Sequence, residues 1–177
     1  ELGEVAQPLR LLVVDPAGVS AARGWNVVKD VMKTDRAVFI LDPFNPSEER
    51  LRAEASDRFF YTYNLPHSSI RVQEILTALA FLKKYSKGKP QILAVGPAGT
   101  WSLFASAIAP IETDLVMDAN GFAGTDEDFR ESFFVPGIQR AGGLQTALRL
   151  TTHVQTIARF EREAPTIVEQ PPIQMPR

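Results

Sequence analysis

The sequence predicts an α/β fold: a three-layer sandwich around a mainly parallel sheet of about five strands. Three observations predict it. Four short runs are almost continuously apolar, as strands buried on both faces of a parallel sheet are. Helical patterns separate the runs, so strand and helix alternate as in βαβ units, whose right-handed crossovers cover both sheet faces. The chain has 177 residues, 45% hydrophobic and 23% charged, enough to bury a core in one domain.

The first apolar run is Leu9 to Asp15, "LRLLVVD". A short helix is expected over Trp25 to Thr34, with Val27, Val28 and Val31 on one face. The second run is Ala37 to Asp42, "AVFILD", and a long charged connection, Pro43 to Pro66, follows it. Glu48 to Ala55 has helical character there, and long excursions from strand ends commonly form binding rims. The strongest helix spans Ser68 to Tyr85. Ile70, Ile75, Leu79 and Leu82 recur near helical spacing, and Val72, Leu76 and Phe81 widen the stripe. Ser68 or Ser69 suits its start, Lys83, Lys84 and Lys87 suit its carboxyl end, and Gly88 and Pro90 stop it.

The third run is Gln91 to Gly96, "QILAVG", and a small apolar helix, Thr100 to Ala109, ends at Pro110. The fourth run is Asp114 to Asp118, "DLVMD"; a helical segment, Gly142 to Leu150, precedes the fifth, His153 to Phe160, "HVQTIARF". The fifth run is less purely apolar and suits a sheet edge. The domain is expected to occupy 1–160. Residues 161–177, with "EAPTIVEQPPIQMPR" from Glu163, are proline-rich without helical period and read as an extended tail.

Composition narrows the function. The net charge of -2 gives no basic footprint for nucleic acid. No apolar run approaches the roughly 20 residues that span a bilayer. The chain has no cysteine, which excludes disulfides and thiolate metal sites. The two histidines, His67 and His153, have no metal-ligand spacing, so neither a metal nor a cofactor is expected. Glu1 opens the chain without methionine. That suits either a processed mature chain, which slightly favours a place outside the cytoplasm, or a piece of a longer one, with the compartment otherwise open.

Chemistry in an open parallel sheet gathers beyond the carboxyl ends of the strands. The residues there are Asp15-Pro16-Ala17-Gly18, Asp42-Pro43-Phe44, Gly96-Pro97-Ala98-Gly99-Thr100 and Asp118-Ala119-Asn120-Gly121. The aspartates suit an acidic site, but more simply they accept N–H bonds of the turns that follow. Gly96 to Thr100 occupies the place of a Gly-x-Ser-x-Gly nucleophile turn, with Ala98 in the serine slot. Ala98 has no oxygen to form an acyl intermediate. Gly99 follows it and is the candidate oxyanion donor. Thr100 is the nearest substitute hydroxyl, since Ser102 and Ser106 lie farther into the helix. Asp118 and His153 complete the list of candidate catalytic residues, although His153 opens a strand instead of following one.

An anion can also bind at the start of this helix, but Pro97 removes a donor and no phosphate-loop lysine follows. His67 reads as a surface or helix-start residue. Phe59, Phe60, Tyr61 and Tyr63 are expected to anchor their loop onto the core, stacking on a ligand being the alternative.

Four blocks together carry a resemblance: "YNLPHSSIRVQEILTALAFLKKY", "ILAVGPAGTWSLFASAIAP", "DANGF" and "FFVPGIQRAGGLQTAL". In this order they resemble the carboxyl-terminal part of α/β-hydrolase-fold proteins of the acetyl xylan esterase-like family, over roughly Leu9 to Phe160. The resemblance implies a truncated α/β-hydrolase-like sheet, lacking the early strands and the final histidine loop of a full hydrolase. It places the family's serine at Ala98 and an oxyanion donor at Gly99. The expected function is therefore a catalytically degenerate module with a binding or structural role, within a larger protein or assembly. Sheet edges and the tail are its expected contacts with a protein partner or a second copy. The alternative is an active serine-hydrolase-type esterase acting on carbohydrate esters.

Overall fold

The structure, a computed structural model, describes residues 11–33, 37–85, 88–118 and 121–157. Five strands form one sheet: β1 (Leu11–Val14), β2 (Val38–Leu41), β3 (Gln91–Ala94), β4 (Asp114–Asp118) and β5 (His153–Ile157). Their order is β2-β1-β3-β4-β5, and every pairing is parallel. The α/β three-layer expectation thus holds, with β5 at an edge and β2 at the other. The proposed tail and the outer ends of the first and fifth runs lie outside the described residues.

Eight helices connect the described strands: α1 (Gly18–Ala22), α2 (Asn26–Met32), α3 (Glu48–Ser56), α4 (Phe60–Tyr63), α5 (His67–Tyr85), α6 (Pro97–Ile108), α7 (Asp126–Glu131) and α8 (Gly143–Leu150). Side chains alternate across each strand, so β1 serves two cores. Leu12 and Val14 pack with Ile92, Ala94, Leu115 and Met117 under α5, α6 and α8. Leu11 and Val13 pack with Leu93, Val95, Ala22 and Val28 on the face that α1 and α2 cover. The connection from β1 leaves on one face and those from β2, β3 and β4 on the other. The carboxyl ends of β1 and β3 therefore flank the topological switch point, where ligands of such sheets bind.

Helix α5 buries Ile75, Leu79 and Leu82 as its spacing predicts, while Phe81 stays exposed. Helix α6 begins at Pro97, three residues earlier than Thr100, because proline's fixed φ suits the first helical position. From Ala98 to Ser106 all of its residues are buried. Gly99 brings its backbone onto β4: a Cβ there would collide with the Asp118 carbonyl. Phe104 stacks on Phe133 at 4.4 Å between centroids, and Phe122 and Phe129 close an aromatic cluster against the far end of α6.

Helix α7 was not foreseen. Its signal is a capping box: Thr125 Oγ1 accepts from Asp128 N–H, and the Asp128 carboxylate accepts from Thr125 N–H. These bonds, from Thr125 first, hold the Asp128 carboxyl below its ordinary range.

Gly99→Ala is expected to destabilise the protein by about 2–3 kcal/mol or more, because neither β4 nor the first turns of α6 have room to shift. Urea denaturation of the two proteins checks this; an unchanged midpoint would show that α6 does not need its close approach to β4.

Candidate functional site

The strained residue between β3 and α6 is Gly96, with φ 55° and ψ -132°. That backbone conformation belongs to glycine. A nucleophile turn holds its reactive residue at the strained strand-to-helix corner, and the corner here is Gly96. Ala98 is not the corner residue. It lies within the first turn of α6, 0% exposed, with its N–H on the Val95 carbonyl at 3.1 Å. The shift of two positions follows from the early start of α6.

The oxyanion assignment changes as well. Pro97, directly after the corner, has no N–H to offer. Gly99 spends its N–H on the Gly96 carbonyl at 2.9 Å. Thr100 is buried in the helix, as are Ser102 and Ser106. None of the hydroxyls on α6 faces the strand-end crevice as an exposed nucleophile would. The anion site imagined at this helix start loses the same donors.

Of the strand-end aspartates, Asp15 anchors its turn. Asp15 is buried; its Oδ1 accepts from Ala17 N–H at 2.8 Å and its Oδ2 from Trp25 Nε1–H at 2.7 Å. Asp42 is exposed and its carboxylate packs against Gly18. Asp118 is buried, with its carbonyl under Gly99. Among the described residues no group of three histidine, cysteine, aspartate or glutamate side chains is arranged to hold a metal.

His153 pairs in register with Asp114 at the first residue of β4. It lies at the amino end of the sheet, a full strand length from the Gly96 corner. Its charged neighbour is Glu112, whose carboxyl is held low first by the Lys89 ammonium at 2.6 Å and in smaller part by His153. Asp118, at the carboxyl end of β4, therefore cannot meet His153.

His67 is the histidine at the carboxyl end. It opens α5 and is mostly buried instead of lying on the surface. Its Nε2 lies 2.7 Å from Oε2 of Glu54, a close contact rather than an aligned hydrogen bond. Arg50 Nε donates to the other Glu54 oxygen at 2.7 Å. Phe44 ties this group to the sheet. Its ring meets His67 edge-on at 5.5 Å and lies under the Arg50 guanidinium at 5.1 Å. Its N–H donates to Glu74 at 2.8 Å, and its carbonyl accepts from Arg71 Nε at 3.0 Å. The Arg71 guanidinium stacks 4.3 Å from the ring centre of Trp101.

No spacing along the chain joins these residues, because they come from α3, α5, α6 and the connection after β2. A cue to the start was "NPSEER", whose Ser47 caps α3 by accepting from Arg50 N–H.

The aromatic group does not anchor its loop. Phe59, Tyr61 and Tyr63 are all exposed, Tyr63 at 86%. Tyr61 leans on Phe134 at 5.3 Å, which is itself exposed. The short α4 turns these rings outward along the rim. A separate groove of about 520 Å³ runs between α5 and β2, lined by Phe39, Leu41, Ile70 and Phe81.

No known protein-family profile matches this chain, and neither does any curated protein.

Glu54 gives the cluster a pH dependence. The Arg50 hydrogen bond, then the nearby His67, hold its carboxyl below the ordinary 4.5. A carboxyl lowered in the folded state stabilises above its unfolded value, and that contribution disappears as pH falls through the folded one. Acidification from neutral pH to below about 4 is expected to release α3 from α5 before the sheet unfolds. Hydrogen exchange along residues 48–56, compared with Glu54→Gln, checks it: the variant should exchange at an acid-like rate already at neutral pH. Equal protection in both proteins at both pH values would remove Glu54 as the tether.

Proposed function

We propose that this chain is a catalytically degenerate α/β-hydrolase-like module with a binding or structural role inside a larger protein or assembly. One observation carries the reading. The strained corner of the β3-α6 turn is Gly96 followed by Pro97, so the attacking atom and the adjacent oxyanion donor are both missing. The distance of His153 from that corner supports it. The resemblance to acetyl xylan esterase-like proteins supplies the hydrolase part of the proposal. The outer edges of β2 and β5, which pair with no other strand among the described residues, support a role in assembly, since sheet edges are seldom left bare.

The rival is an active esterase on carbohydrate acyl esters. One feature favours it: the His67–Glu54 contact supplies a histidine and a carboxylate at the carboxyl end of the sheet. Among the described residues no serine or threonine hydroxyl is hydrogen-bonded to His67.

A chromogenic acetyl ester separates the two. No turnover above the buffer rate is expected from the chain or from Ala98→Ser. That variant is also expected to lose about 1–3 kcal/mol, because its hydroxyl enters a closed site without a partner. Turnover by the unaltered chain that disappears in His67→Gln would establish the esterase instead.

A further inference from the structure

Arg71 and Trp101 form a feature that the degenerate turn does not explain. Arg71 is half-buried on the second turn of α5, and Trp101 is 3% exposed on the second turn of α6. Both sit at the carboxyl end of the sheet, beside the switch point between β1 and β3. Arg71 is fixed at its Nε by the Phe44 carbonyl at 3.0 Å, and its plane is fixed by stacking on the indole at 4.3 Å. Among the described residues no carboxylate makes an ion pair with it, and its two terminal nitrogens make no hydrogen bond. Burial pulls on its charge, and Glu74, one turn along, supports it only at a distance. Beneath it, the Nε1–H of Trp101 is buried without an acceptor among the described residues.

A buried donor without an acceptor, Trp101 Nε1–H, thus lies under a guanidinium whose terminal nitrogens are unbonded among the described residues. A buried N–H without a partner is costly, as is a partly desolvated guanidinium without an anion. The missing group is an acceptor carrying negative charge. A guanidinium edge and a single N–H match a planar carboxylate, which takes a forked pair on one side and a third bond on a free lone pair. The surroundings decide the charge. Glu74 and Glu54 stand within the same cluster through Phe44, and two carboxylates disfavour a dianion.

We propose that Arg71 and Trp101 form a binding site for a small monocarboxylate, entered from the strand-end crevice and seated between the second turns of α5 and α6. The proposal deepens the binding role given above and rests on it. The Arg71 fork holds the carboxylate, and Trp101 Nε1–H donates to one of its oxygens. Phe44 and Glu74 position Arg71 without touching the ligand.

The test uses the whole chain labelled with nitrogen-15 at tryptophan. The two indole N–H signals belong to Trp25 and Trp101, and Trp101→Phe assigns them. Sodium acetate is titrated against sodium chloride at matched ionic strength, with inorganic phosphate as a third arm. The expected result is a saturable shift of the Trp101 signal by acetate alone, in the millimolar range that so few ligand atoms allow. Arg71→Lys keeps the charge and loses the fork, and is expected to weaken acetate by roughly tenfold.

A Trp101 signal that ignores acetate, or that moves equally with chloride, overturns the site. So does an unchanged midpoint in folded Arg71→Lys. Tighter binding of phosphate overturns the assignment to carboxylate. Ester turnover alongside acetate binding would remove the non-catalytic reading and leave the site standing. A silent signal without turnover would do the reverse.

Discussion

The fold turns on one contact, the backbone of α6 laid directly on β4. Gly99 has no side chain to separate the helix from the Asp118 carbonyl. Small residues accompany this close approach, as in Ala98, Ser102 and Ala105, and all three are buried, together with the larger Trp101, Leu103 and Phe104. The same closeness has a chemical cost. It draws every hydroxyl of the segment into the helix and the core. It also draws the first two free amides into turn bonds with Val95 and Gly96. What looks like a reactive loop in one dimension is a packing device in three.

At the carboxyl end the long excursion after β2 is organised by Phe44 rather than by its own helix. Both of its backbone polar groups are taken by side chains of α5, and its ring is met by the Arg50 guanidinium and the His67 imidazole. Helix α3 adds little apolar surface of its own. Its attachment is polar, through Arg50, Glu54 and His67. A surface element held by a few directional contacts opens at lower free energy than the sheet beneath it. The rim of the crevice is therefore its least stable part, while the floor, made by β1 and β3, is the most stable.

Much of the architecture was legible because it rests on periodicity. "LLVV", "VFIL" and "QILA" announce strands buried on both faces, and the spacing of Ile75, Leu79 and Leu82 announces α5. The starting points of helices were less visible. The Gly-x-Ser-x-Gly pattern places the reactive position at Ala98, whereas the strained corner is Gly96; the start of α6 at Pro97 is hidden because proline reads as a breaker unless its place at the first helical residue is recognised. The rim was hardly legible at all. Aromatic residues in a row suggest anchoring, yet α4 is too short to turn three of them inward. The contacts of His67, Arg71 and Trp101 are made across elements, so no spacing along the chain records them.

The central position of β1 carries a further consequence, for the order in which the molecule forms. Leu11 pairs with Val38 on one side and with Gln91 on the other. The second pairing closes a loop that contains two complete connections, and such closures are slow because the chain loses entropy before any contact rewards it. The segment from α5 through β4 has no such delay, since α5, β3, α6 and β4 follow one another directly and pack as neighbours. Among the described residues strand β2 pairs only with β1, so the unit of β1 and β2 meets the rest of the sheet along the single β1–β3 seam, and that seam joins both cores.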